Sequence, residues 1–66
     1  MDAKNIGKKL REIRGNRSAQ TVAKETGISV SAVFMYEAGE RMPRDEVKIR
    51  LASYYGVSVG SLFFGE

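Results

Sequence analysis

The chain has 66 residues, enough for one small domain whose folding buries about 60% of the surface that the unfolded chain exposes. It contains no cysteine and no histidine, which excludes disulfide bonds and ordinary Cys/His zinc sites, so we expect neither a metal nor a cofactor. The formal net charge is +3, and no apolar run approaches the roughly 18 residues of a membrane span, so we expect a cytoplasmic location and no membrane contact.

The charges are distributed unevenly along the chain. Residues 1–17 carry six basic and two acidic side chains, whereas residues 18–40 carry one basic and three acidic ones. A net charge this small is compatible with binding to nucleic acid but does not by itself indicate it, because a solvated surface accounts for most of these charges. Function must therefore be argued from motifs.

The first predicted helix covers about residues 3–14. Apolar residues recur there at the spacing of one helical face: Ile6, Leu10 and Ile13. The stretch "GNRS" ends this helix, and its serine, Ser18, is the predicted N-cap of a short second helix. Gly27 suits the left-handed position that ends the second helix.

Ser29 offers a hydroxyl to cap a third helix, which is predicted to run to about Ala38 and to stop at Gly39. Pro43 suits the start of a fourth helix over about residues 44–55. The segment "VGSLFF" forms a last short helix, and no alternation typical of strands occurs. The pattern predicts an all-α fold, a compact bundle of five helices.

The second and third helices are joined by only about two residues. A short turn that contains glycine between two helices is the mark of a helix-turn-helix unit. Residues 19–38 meet its requirements, with small Ala23 where the helices approach, Gly27 in the turn and Val33 facing the junction. The sequence therefore predicts a single helix-turn-helix domain over residues 1–66.

The order and spacing of four segments resemble the Cro and phage-repressor type of helix-turn-helix domain. These segments are "LREIR", "VAKETGIS", "YEAGERMP" and "GVSVGSLF", and the resemblance covers residues 6–64. It implies a repressor-like transcriptional regulator, of the kind carried by phages and other mobile elements, that binds a two-fold symmetric DNA operator as a dimer. The third helix would lie in the major groove.

The resemblance also implies which residues contact DNA. Contacts to the DNA backbone would come from Ala19, Gln20, Ser29, Arg41 and Arg44. Contacts to base edges would come from Val30, Ser31, Phe34 and Met35. In two places the chain departs from the proteins that it resembles. Many of them have glutamine where this chain has Ala19, and a buried aliphatic residue where it has Lys48, which must extend its ammonium group to the surface.

The apolar outer face of the third helix leaves two hypotheses open. In the first, Val30, Phe34 and Met35 contact thymine methyl groups and Ser31 forms a hydrogen bond. In the second, the same apolar face binds a protein partner. Helical geometry places Phe34 about 100° from inward-facing Val33, at the boundary of the core, and we expect Val30 and Met35 to be buried less easily.

Three further expectations concern packing and chemistry. The resemblance implies a partly buried ion pair between Arg14 and Glu37, while Tyr36 belongs to the core. Phe63 and Phe64 are adjacent on a short helix and cannot easily both be buried, so we expect at least one of them in the contact of a homodimer that is weak in free solution. No arrangement of a nucleophile with a base stands out, so we expect no enzymatic activity.

Overall fold

The computed structural model describes residues 2–65, which form five α-helices and no strand; short turns join the helices except for a longer loop between the third and the fourth. The helices are α1 (Ala3–Arg14), α2 (Ala19–Thr26), α3 (Val30–Glu37), α4 (Asp45–Tyr55) and α5 (Val59–Phe63). None of these described helices is long and apolar enough to cross a membrane. The predicted all-α fold of five helices is confirmed.

Serine caps begin three of the helices. Ser18, Ser29 and Ser58 each accept a hydrogen bond at 3.0 Å from the backbone N–H three residues further on. This bond satisfies one of the N–H groups that a helix start leaves without an intrahelical partner. Gly27 and Gly56 end α2 and α4 in the left-handed conformation, with φ of 76° and 71°. These local signals account for the agreement between predicted and observed helix ends.

The start of α4 differs slightly from the prediction. Arg44 is the N-cap, with an extended backbone and no capping hydrogen bond from its side chain, and the helix begins at Asp45. Pro43 therefore lies two residues before the first residue of the helix, and it is buried. A proline before the cap restricts the preceding residue to extended conformations, which gives the α3–α4 loop a definite direction.

All five helices contribute to one apolar core. Its best-buried side chains are Val22 of α2 and Phe63 of α5, which are 0% and 1% exposed. The remaining large members are Ile6, Leu10, Val33, Tyr36, Leu51 and Leu62. The burial of Tyr36 and Val33 shows that one side of α3 faces inward, which leaves the opposite side free.

Two glycines bring α1 against the end of α3. A Cβ atom on Gly7 would lie 2.7 Å from the carbonyl oxygen of Tyr36, closer than side chains normally approach. Gly39 has φ of +73°, and a Cβ atom there would lie 2.8 Å from Cα of Lys4. The first helix therefore fixes both the C-terminal end of α3 and the start of the loop that follows it.

Lys48 occupies a position in the core, as the resemblance to the Cro and phage-repressor type implied. The residue is 8% exposed, and its Nζ lies 3.8 Å from Oδ1 of Asp45. The same ammonium group lies 5.8 Å and 5.0 Å from the ring centres of Phe63 and Phe64. The aliphatic part of the side chain replaces a hydrophobic residue, while the charge is held over aromatic rings near the surface.

Candidate nucleic-acid interface

The turn between α2 and α3 sets the angle at which α3 is presented. Gly27 and Ile28 both donate backbone hydrogen bonds to the carbonyl oxygen of Ala23, at 2.9 and 3.1 Å. The chain then passes to Ser29, which caps α3. Because backbone hydrogen bonds fix the start of this three-residue turn and the Ser29 cap fixes its end, the outer face of α3 is held in a defined orientation.

The outer face of α3 is apolar and only partly covered. Phe34 is 50% exposed and Ser31 is exposed, while Val30 and Met35 are half-buried. The expectation that Val30 and Met35 would be harder to bury than Phe34 is wrong, because both are more covered than Phe34. Val30 packs against the core from the first turn of the helix. Phe34 is thus the most prominent apolar group on this face.

The cations of this surface flank α3 and do not lie on it. The helix itself contains no lysine or arginine. Arg41, in the loop after α3, and Arg44, at the start of α4, are both exposed, as is Gln20 in the first turn of α2. The result is an apolar face on α3, with exposed positive charges in the segment that follows it and an exposed polar side chain at the start of α2.

The start of α2 presents unused backbone donors. The N–H groups of Thr21 and Val22 bond to Ser18, so those of Ala19 and Gln20 are the ones without an intrahelical partner. The side chain of Ala19 is only 3% exposed, so any contact it makes to a ligand must come from its main chain. Together with the helix dipole, such N–H groups favour a negatively charged partner.

The cap of α3 limits what Ser29 can do. Its Oγ accepts the hydrogen bond from the N–H of Ala32, and the hydroxyl hydrogen is therefore left as the available donor. The first N–H groups of α3, on Val30 and Ser31, stand beside it without an intrahelical partner. This end of α3 is consequently rich in hydrogen-bond donors.

Arg14 and Glu37 are brought together where α1 meets the end of α3. Arg14 Nε donates to Glu37 Oε2 at 2.7 Å and Nη2 donates to Oε1 at 3.1 Å, and the two side chains are 11% and 8% exposed. The hydrogen bond with Glu37 raises the pKa of the Arg14 guanidinium above its ordinary value. The two charges neutralise each other, so the acidic end of α3 does not repel an anion.

Arg17, the residue before the cap of α2, is an exposed cation that the sequence interpretation did not consider. Its guanidinium carbon lies 5.6 and 5.4 Å from the ring centres of Tyr54 and Tyr55, and Nη1 donates to the carbonyl oxygen of Ile13 at 3.1 Å. Burial raises the pKa of Tyr55, with the negative charge of Glu37 adding to the effect. The available signal was position alone: Arg17 directly precedes the cap of α2.

Comparison with known proteins decides the family. The family model described as Helix-turn-helix matches residues 8–62, which is most of the chain. The chain belongs to the helix-turn-helix family of the Cro and phage-repressor type. Neither the curated proteins nor the solved structures gave a significant match. Members of this family are DNA-binding regulators and are typically not enzymes, so this helix-turn-helix protein is a DNA-binding regulator.

At the end of α5, this helix-turn-helix domain buries one of the two adjacent phenylalanines and exposes the other. Phe63 is 1% exposed and belongs to the core, whereas Phe64, the C-cap of α5, is 51% exposed. The prediction that Phe63 contributes to a dimer contact is therefore wrong, because the monomer already buries its ring. Phe64 stays as the candidate, and it lines an open groove of about 600 Å³ whose other side is α1.

Proposed function

We propose that this protein is a sequence-specific transcriptional regulator, repressor-like and of the phage or mobile-element kind, that binds a two-fold symmetric DNA operator. The observation that carries the proposal is the free outer face of α3, flanked by exposed Arg41 and Arg44 and by the donor-rich start of α2. DNA fits this surface, because its groove can receive the apolar face of α3 and its phosphates can pair with the two arginines.

Contacts to the DNA backbone supply most of the affinity in this proposal. Arg41 and Arg44 neutralise phosphates on one side of α3, and the N–H groups of Ala19 and Gln20 bind a phosphate on the other. The hydroxyl of Ser29 adds a further donor. The positions of these groups support contacts that orient α3 without reading sequence.

The outer face of α3 reads the bases. Val30, Phe34 and Met35 have no side-chain donor or acceptor for base edges, so the groups they recognise in the major groove are thymine C5-methyls. Ser31, which is exposed, supplies the hydrogen bond on this face. Specificity therefore rests on the pattern of methyl groups together with the shape of the DNA.

A homodimer assembled on DNA places two copies of α3 in successive major grooves. Its half-sites lie about one helical turn apart, and the two-fold symmetry of the operator mirrors that of the protein. Exposed Phe64 supports an apolar contact between the copies. One such side chain is a small contribution, so the dimer is weak in free solution and forms on the operator.

A protein partner is the second candidate. It is favoured by one observation, the 50% exposure of Phe34 on a helix without any basic residue. A cognate regulator or an antirepressor with a matching apolar surface would cover the same face. This candidate and DNA reading predict opposite results in a single experiment.

Selection of duplexes from a random pool tests the proposal. We expect enrichment of a two-fold symmetric site, with affinity that falls steeply as salt is added. Phe34→Ala combined with Met35→Ala should abolish the enrichment, while Ile49→Ala, which also removes an exposed apolar side chain, should leave it intact. Absence of any enriched site with the folded wild-type protein would reject DNA reading and favour the protein partner.

A further inference from the structure

All three nitrogens of the Arg14 guanidinium donate hydrogen bonds. Besides its two bonds to the Glu37 carboxylate, it donates from Nη1 to the carbonyl oxygen of Arg17 at 2.8 Å. Each of its three nitrogens therefore has a fixed acceptor, and these acceptors come from α3 and from the turn that follows α1. A planar group bonded in this way has its position and its plane determined by the fold.

The immobilised guanidinium also contacts the exposed face of α3. Its Cζ lies 5.9 Å from the centre of the Phe34 ring, within the distance at which a cation over an aromatic face is attracted to it. Phe34 is 50% exposed, so few core contacts restrain its ring. Arg14 is thus the charged group that favours one orientation of the Phe34 ring over the others.

We infer that Arg14 is a positioning residue for Phe34, and that the ion pair with Glu37 preorganises the apolar reading face of α3. The inference rests on the proposed function. A ring already held in place loses less rotational freedom when it meets a base pair. Loss of Arg14 should therefore weaken recognition of the thymine methyl group more than it weakens binding to phosphates.

The Arg14→Lys variant tests this in DNA binding because it keeps the charge and removes the planar fork. The probes are the duplex enriched from the random pool and its twin with uracil in place of thymine. The ratio of their affinities should fall by about threefold in Arg14→Lys. Arg11→Lys is the matched control, since Arg11 lies on the same helix and, within residues 2–65, its side chain bonds only to the carbonyl oxygen of Gly15, at 3.4 Å. Its ratio should equal that of the wild type.

A double-mutant cycle separates positioning from a general structural role. In Phe34→Leu, which lacks the ring, the further change Arg14→Lys should no longer alter the ratio, because Arg14 acts through Phe34. A merely structural role would weaken binding to both duplexes alike, in either background. If Arg14→Lys has the same thymine-to-uracil affinity ratio as the wild type, the inference is wrong but methyl reading stands. If the wild-type protein itself binds the two duplexes equally, both methyl reading and the inference are wrong.

Nuclear magnetic resonance of the free protein gives a test without DNA. The ring protons of Phe34 should move toward unstructured values in Arg14→Lys, while those of buried Tyr36 should stay in place. If Arg14→Lys does not fold, Phe34→Leu alone still decides, because the Arg14 Nε–H resonance should shift when the neighbouring ring is lost. An unchanged Arg14 resonance in that variant would overturn the inference.

Discussion

The backbone of Gly7 on α1 lies directly against the carbonyl group of Glu37 on α3, so that a methyl group on Gly7 would overlap it. This contact and the ion pair between Arg14 and Glu37 involve the same residue of α3. The contact at Gly7 determines how closely the two helices approach, and the ion pair links their side chains. Together they make the orientation of the reading helix depend on the first helix.

Gly7→Ala should destabilise the protein although alanine favours helices. The added methyl group would force α1 away from α3, and overpacking of this kind costs about 1–3 kcal/mol. Alanine gains at most ~1 kcal/mol over glycine in helix propensity, so the cost of overpacking should exceed the gain. Thermal unfolding measures the change. Lys8→Ala, at an exposed site one residue further on, is the control, and equal or higher stability of Gly7→Ala would contradict the packing described.

Removal of one partner of the Arg14–Glu37 pair should cost more than the ~0–1 kcal/mol of an exposed ion pair. Each side chain is about nine-tenths covered, so Glu37→Ala leaves a poorly solvated guanidinium without two of its three acceptors. Denaturant unfolding would show the loss. Glu40→Ala, which removes an exposed carboxylate three residues away, should change stability little. Similar stabilities for the two variants would argue against a structural role for the pair.

Arg41→Ala and Arg44→Ala should each weaken binding to all duplexes alike. Each lost phosphate contact reduces the slope of log affinity against log salt by about 0.9 for every half-site occupied. Titrations at several salt concentrations, on the selected site and on an unrelated duplex, measure this slope. Lys8→Ala removes a positive charge from the groove beside Phe64 and should keep the wild-type slope. A loss confined to one sequence would show that these arginines read bases.

An operator with uracil at the contacted thymines should bind about fourfold more weakly for each methyl lost, because burial of one methyl is worth ~0.8 kcal/mol. Met35→Ala should reduce that difference, and Arg44→Ala should not. Equilibrium binding with matched thymine and uracil duplexes makes the comparison. If uracil changes nothing while Val30 and Met35 variants abolish binding to another protein, the outer face of α3 is a protein interface.

Phe64→Ser should remove cooperative binding to a full operator and leave binding to an isolated half-site intact. The side chain is 51% exposed, so its replacement removes little buried surface, and the main structural cost is its contact with the Lys48 ammonium group. Sedimentation with the full operator counts the bound chains, and we expect two for the wild type. Ile49→Ser is the control at another exposed apolar site. One bound chain, or undiminished cooperativity in Phe64→Ser, would remove the case for this dimer contact.

The helix ends could be predicted because their signals are local. A serine hydroxyl reaches an N–H three residues away, and a left-handed glycine closes the helix that precedes it. Ser18, Ser29 and Ser58, with Gly27 and Gly56, therefore indicated most of the boundaries to within one residue. The resemblance to the Cro and phage-repressor type supplied the rest of the architecture.

Exposure within the site could not be predicted in the same way. Phe34 and Val30 both lie on the outer side of α3, and which of them is covered depends on the core beneath the first turn of that helix and on Arg14 from another helix. The contact at Gly7 has no sequence signal, because a glycine inside a helix is informative only when the opposing backbone is known. Phe63 and Phe64 were distinguished only by packing.

Lys48 has a consequence for how two copies can meet. Its ammonium group lies 5.0 Å from the ring centre of Phe64, so a partner that covers this ring also removes the remaining water from a side chain that is only 10% exposed. That desolvation opposes association unless the partner supplies a carboxylate of its own. We therefore expect the surface to resist permanent pairing, and to hold two chains together only where adjacent half-sites raise their local concentration.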